Sequence, residues 1–282
     1  MRKFVAVVIL TGVVASGLTG CAPPEKMAQT AETITATPEE LMALWREIPK
    51  AGIERMDVKT ATLIAHGLSQ IGPGGLDPII DVLASPESEG PAKVLAVISL
   101  TPVLTEEMLP RLMTLTEAGN DTTTRCCAID LVGLFQASEA EARMLALLED
   151  DNHRVRTEAT IMLLRRGHET GLTTVEAIWD HLETTDLHRT QIVLQIPETA
   201  YAQLERIFLE AVVNPKVEAP ARQRAAELIG RHGGLAGAEA LKQCAERDEV
   251  EEIRDIAAAG VEAIASRSGA VETESTPRPE AE

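Results

Sequence analysis

The chain has 282 residues, with 44 Asp and Glu against 26 Lys and Arg, a formal charge of −18 and 2% aromatic residues. So acidic a surface repels phosphate backbones and anionic headgroups, and so few rings leave no stacking platform for bases, which excludes nucleic acid as a partner. Hydrophobic residues still make up 45%, largely Ala, Leu, Val and Ile, enough for a continuous core of helix packed on helix.

Residues 1–20 read as a processing signal to be set aside before any fold is considered. Arg2 and Lys3 supply the positive start, and Phe4 to Val14 an apolar stretch too short to span a bilayer as a helix. It ends in Leu18-Thr19-Gly20-Cys21, which resembles the lipobox of bacterial lipoproteins. The resemblance implies cleavage before Cys21, a diacylglyceryl thioether on its sulfur, and an acyl chain such as palmitate on the new amino terminus. Ala22 stands where an Asp would imply inner-membrane retention in lipoproteins of enteric type, so the expected location is the outer membrane, facing the periplasm. Losing Arg2 and Lys3 makes the processed chain two charges more acidic, so contact with the lipid bilayer would come from acyl chains and not from a basic face. Residues 21–36, with Pro23, Pro24 and several Thr and Ala, are expected to form a flexible tether of about 50 Å when extended.

From residue 37 to 266 amphipathic helical segments alternate with short polar breaks. Thr37-Pro38-Glu39-Glu40 combines an N-cap, a first-turn proline and a capping-box glutamate; Ser138 with Glu141 and Thr173 with Glu176 suggest two more boxes. Breaks fall at Gly72 to Gly75, Pro86 to Pro91, Gly119 to Asp121, Gly167 to Gly171, Asn214-Pro215 and Gly233-Gly234. A basic residue followed three positions later by a small or aliphatic one recurs at Lys93, Arg125, Arg156, Arg189, Arg222 and Arg254, in steps of 32, 31, 33, 33 and 32 residues. Val58 with Ala61 is an earlier unit without the basic residue, giving about seven helix pairs with the first as a cap. Relative to each basic residue, positions −1, +3, +6, +7 and +10 share one helix face, which predicts the core: Val155, Ala159, Met162, Leu163 and Arg166 in one copy, and Ile253, Ala257, Gly260, Val261 and Ile264 in another. Acids precede the basic residues (Asp121 before Arg125, Asp151 before Arg156, Asp186 before Arg189), which suggests a ladder of ion pairs and helix caps. Residues 267–282 carry Ser, Thr, Pro and Glu with little apolar content and are expected to be a disordered acidic tail.

The copy running from Leu147 through Asp150, Asp151, His153, Val155, Arg156 and Ala159 to Gly167 resembles the HEAT-like repeat also found in the phycobilin-lyase family. It implies an all-α fold, a right-handed α-α superhelix of the HEAT-like or armadillo-like solenoid kind. Such repeats host many unrelated roles. The expected function is a membrane-anchored scaffold for protein–protein interaction in the cell envelope, not an enzyme. The alternative is a phycobilin-lyase-like cofactor-attachment enzyme or chaperone, which would handle a tetrapyrrole in the cytoplasm and sits badly with the lipobox.

Positions +1, +5 and +8 of each second helix point away from the expected core face. They include Val94, Ile98, Ile161, Leu164 and Leu194, then Gln223, Glu227, Asp255 and Glu262, an inner surface that turns from apolar to acidic. Such a stripe suits an amphipathic helix or extended peptide with a basic end, unless curvature buries it against neighbouring helices. No His-Glu-x-x-His, Cys-x-x-Cys, Gly-x-Ser-x-Gly or phosphate-binding loop occurs, so no catalytic, cofactor-binding or metal residues are expected. His181 and His188, near Asp180 and Asp186, read as polar residues at a solvated helix end, Asp150-Asp151-Asn152 as a helix cap, and Cys126, Cys127 and Cys244 as small packing residues.

Overall fold

A computed structural model describes residues 6–10, 32–51, 57–72 and 74–274. Among these residues lie fourteen α-helices and one two-stranded ribbon. The signal charges, the lipobox with Cys21, and residues 275–282 lie outside the described residues. The ribbon joins β1 (Ala6–Leu10) antiparallel to β2 (Glu32–Ala36), with Val8 opposite Ile34. Both runs are rich in β-branched residues, which favours pairing while the two segments remain in one chain.

The chain divides into two compact units, the first ending at Phe135 and the second beginning at Gln136. The first holds α1 (Pro38–Glu47), α2 (Val58–Ser69), α3 (Asp77–Ala84), α4 (Gly90–Leu100), α5 (Leu109–Leu115) and α6 (Thr122–Val132). There α2 packs on α4 and α4 on α6, while α1, α3 and α5 each pack on the helix that follows. The second holds α7 (Ser138–Leu147), α8 (His153–Arg165), α9 (Glu169–Asp180), α10 (Asp186–Gln195), α11 (Tyr201–Val213), α12 (Ala219–His232), α13 (Leu235–Arg247) and α14 (Glu251–Glu274). There α8, α10, α12 and α14 form one layer in sequence, and α9, α11 and α13 a second layer against it. In each unit this packing is that of an α-helical repeat.

The small residue three positions after each basic one explains how the layers close up. Ala96, Ala128, Ala159, Ile192, Ala225 and Ala257 are all fully buried. The remaining core positions follow the expected face, with Val155, Met162, Leu163, Ile253, Gly260 and Ile264 buried and Arg166 and Val261 half-buried. Packing is close between α12 and α14, where a Cβ on Gly230 would stand 3.0 Å from the Gly260 Cα.

The basic residues themselves turn back onto the corner before their own helix. Arg125 Nε donates to Thr116 O at 3.1 Å, Arg156 Nη1 to Asp150 O at 2.5 Å, and Arg189 Nη2 to Trp179 O at 3.3 Å. Arg222 Nη1 donates to Val217 O at 2.5 Å and Arg254 Nη1 to Asp248 O at 2.7 Å. Each guanidinium thereby satisfies a carbonyl that the preceding helix or turn leaves open. Two of the basic residues also reach forward to the next repeat. Lys93 pairs with Asp121 at 2.8 Å, and buried Arg222 with buried Asp248 at 2.7 and 3.0 Å. Asp121 is therefore bound to the preceding repeat's Lys93 while it caps Thr124 N–H at 3.0 Å. Burial opposes its ionisation, but bonds from Lys93 and Thr124 outweigh that and hold its carboxyl well below the usual range.

Helix ends correct the sequence reading in three places. The Thr37–Glu40 box forms in both directions, and Asn152 caps α8, as expected. Ser138 instead opens α7 with Ala137 as its cap residue, and Thr173 lies inside α9, its hydroxyl donating back to Thr170 O; His168 Nδ1 takes the cap by accepting Thr170 N–H at 3.1 Å. Gly167, at φ +66°, closes α8 with a Schellman turn, in which Gly167 N–H reaches Leu164 O and His168 N–H reaches Leu163 O. Finally, α14 runs to Glu274, past the expected end at 266, because the Arg267 guanidinium fastens it to Gly230 O at 2.8 Å and Gly233 O at 3.0 Å.

Candidate functional site

The residues expected to form a partner surface divide by unit and by burial. In the first unit Val94 is exposed and Ile98 half-buried on α4. In the second, Leu194 is exposed on α10, but Ile161 is 1% exposed and Leu164 fully buried. Ile161 and Leu164 therefore belong to the core. The reason is visible along α8, where Thr157, Glu158 and Thr160 are buried as well as Val155 and Ala159, so no face of its middle turns is left to solvent. A helix packed by α7, α9 and α10 buries far more than the single stripe that its period suggests.

Several apolar residues of the second unit are exposed, Val213 and Leu235 among them, and three lie together on and beside α10: Leu187, Leu194 and, in the turn before the helix, Leu182 at 99% exposure. Leu187 and Leu194 stand seven residues apart with Gln191 between them, one face of a helix. That heptad spacing was available in the sequence, one turn earlier than the positions chosen. Glu227, Asp255 and Glu262 are exposed on α12 and α14, as expected for an acidic carboxyl-terminal part of the surface.

Sequence reasoning missed a buried polar cluster where α8 meets the turn between α9 and α10. The His153 and His181 rings stack with centroids 3.7 Å apart and planes at 15°. His153 Nε2 lies 3.0 Å from Thr184 Oγ1 and 3.2 Å from Thr157 Oγ1. Both hydroxyls already donate to carbonyls, Thr184 to Ile178 O at 2.5 Å and Thr157 to His153 O at 3.0 Å. Each has one proton, so both are placed to accept from the ring, which assigns a proton to His153 Nε2. Its Nδ1 is buried without a partner among the described residues. Burial pushes its pKa down, and His181 and Arg156 push in the same direction. Beside it His188, expected at a solvated helix end, is buried and faces buried Glu158 with Nε2 3.4 Å from Oε1. The hydrophobic pattern gave no sign of this, since histidine scores as polar wherever it stands.

Among the described residues no group of three or more His, Cys, Asp and Glu could hold a metal ion, and no helix is long and apolar enough to cross a membrane. Cys126, Cys127 and Cys244 are buried, as packing residues should be, and burial pushes the Cys244 thiol up to about 11. An open cleft of about 710 Å³ is lined by Glu198, Tyr201, Glu205 and His232. Its carboxylates are engaged: Glu205 accepts from the Tyr201 hydroxyl at 3.1 Å, and Glu198 meets Arg231 and His232 Nε2, each at 2.7 Å. No protein-family model matches the chain, and no curated protein matches it.

Proposed function

We propose that this protein is a membrane-anchored scaffold of the cell envelope, held by lipid on Cys21 and presenting a HEAT-like helical repeat to a protein partner. In this reading the helices form seven pairs in a right-handed superhelix, and the anchor faces the periplasm from the outer membrane. The observation that carries it is the recurring arginine corner. The one chemistry that the sequence repeats every 31–33 residues ties each second helix to the corner before it, which supports a structural role for the repeat. Recognition then falls to the surface, where Leu182, Leu187 and Leu194 stand out from the second unit and Glu227, Asp255 and Glu262 add negative charge. An amphipathic helix or extended peptide with a basic end fits that chemistry.

Anchor and surface are tested separately. Metabolic labelling with a palmitate analogue should mark wild type and not Cys21→Ser, and equal labelling overturns the anchor. In-cell crosslinking followed by identification of the captured protein should give one partner that is lost from a Leu187→Asp, Leu194→Asp double variant with unchanged melting. Retention of that partner by the double variant overturns the surface.

A further inference from the structure

The geometry points to the His153–His181 stack as a pH-sensitive latch on the turn between α9 and α10, closed while the His153 ring is neutral and opened when that ring takes up a proton. It rests on the second unit alone and is independent of the proposed anchor.

The rings are held in one tautomer each. His153 carries its proton on Nε2, because both threonine hydroxyls beside that nitrogen donate elsewhere. His181 Nδ1 accepts the backbone N–H of Glu183 at 3.2 Å, so its proton is on Nε2 as well. A second proton on His153 must therefore go to Nδ1. There it creates a buried N–H with no acceptor among the described residues.

The surrounding charges do not relieve this. On α8, Arg156 repels a second cation and is itself bound to Asp150 O and Asp151 O at the end of the turn from α7. On α10, His188 adds a further titratable ring and occupies Glu158. The turn supplies one favourable charge, Glu183, whose side chain is exposed. Asp180, at the end of α9, is paired with Arg206 at 2.9 and 3.0 Å. Burial favours the neutral state of His153, so its folded pKa lies below the ordinary histidine value. The latch is therefore fully closed above about pH 6.5 and weakens as pH falls through the folded value. Opening frees the segment whose Thr184 hydroxyl closes α9 on Ile178 O and which carries Leu182.

Amide hydrogen exchange of the full chain tests this, with rates corrected for the chemical dependence on pH. Opening grows by up to about ten-fold per pH unit for each proton taken up. Peptides covering residues 181–188 should lose protection at least ten-fold between pH 7.5 and 5.0, while α12 to α14 keep theirs. The general trend runs the other way, since protonation shrinks the charge of −18 and relaxes self-repulsion. In a His153→Phe, His181→Phe variant, which keeps two stacked rings without the titration, the pH dependence should vanish. If that variant does not fold, the wild-type protein still decides. A change under two-fold at 181–188, or an equal loss in α12 to α14, overturns the latch.

Discussion

Replacing Asp248 by Asn tests the energetics of the corner between α13 and α14 in a single atom change. The Arg222 and Asp248 side chains are 3% and 4% exposed, and two of the guanidinium nitrogens end on the carboxylate at 2.7 and 3.0 Å. Asn keeps an oxygen for the Val250 N–H, which Asp248 Oδ1 accepts at 2.9 Å, so the turn is retained while the charge and the acceptor for Arg222 Nε are lost. Breaking a buried pair from one side costs ~3–5 kcal/mol, because the remaining ion stays buried. Arg222 keeps Val217 O at 2.5 Å and a distant Glu249 at 3.8 Å, which places the cost near the lower limit. A loss of about 3 kcal/mol lowers the melting temperature by roughly 6–12 °C for a domain of this size. Burial by itself would raise the Asp248 pKa, but the bonds from Arg222 and Val250 outweigh it and leave the folded carboxyl below its ordinary value of 3.8. Its contribution is therefore complete above that value and is lost as pH falls through the folded pKa. Urea unfolding followed by circular dichroism, from pH 7 down to pH 2.5, should show a constant gap between wild type and variant that begins to close only below about pH 4. A loss smaller than about 1 kcal/mol at pH 7 would refute the reasoning, since an unpaired buried guanidinium cannot cost so little.

Three further substitutions separate core from surface and probe a close helix approach. Ile161→Asp should cost more than about 3 kcal/mol, through lost apolar burial and a carboxylate without a partner, whereas Leu194→Asp should stay within about 0.5 kcal/mol. Thermal melts of the two side by side decide this, and equal effects would mean that the burial of α8 is wrong. Gly230→Val forces α12 away from α14, because its Cβ would stand 3.0 Å from backbone, not from a movable side chain. A loss of about 1–3 kcal/mol in urea unfolding is expected, and a neutral result would show that the two helices have slack.

The interval between repeats was legible because one residue type does one job each time: Arg125, Arg156, Arg189, Arg222 and Arg254 all close the turn before them. Which acid each base would meet was not. Asp121 stands four residues before Arg125 and 28 after Lys93, and spacing within one repeat carries no information about pairing with the previous one. Burial of Ile161 and Leu164 was hidden for a related reason. An apolar residue on a second helix face reads the same whether it meets solvent, a ligand or another helix. Thr173 misled because a threonine three residues before a glutamate also occurs inside helices, where its hydroxyl returns to the carbonyl of the preceding turn. The histidine cluster gave least warning of all, since it is assembled from α8, a turn and α10, and exists only after those three have packed.

The arginine corners have a consequence for how the chain assembles in time. Each joins a side chain to a carbonyl five to ten positions earlier, from Arg222 to Val217 up to Arg189 to Trp179. Contacts so near in sequence close quickly and need nothing that has yet to arrive. A chain leaving a ribosome or an export channel amino end first can therefore set each bend as soon as it clears the exit and stack the next helix against a finished surface. Lys93 with Asp121 and Arg222 with Asp248 then lock one completed bend to its successor, so that order along the sequence becomes order of construction.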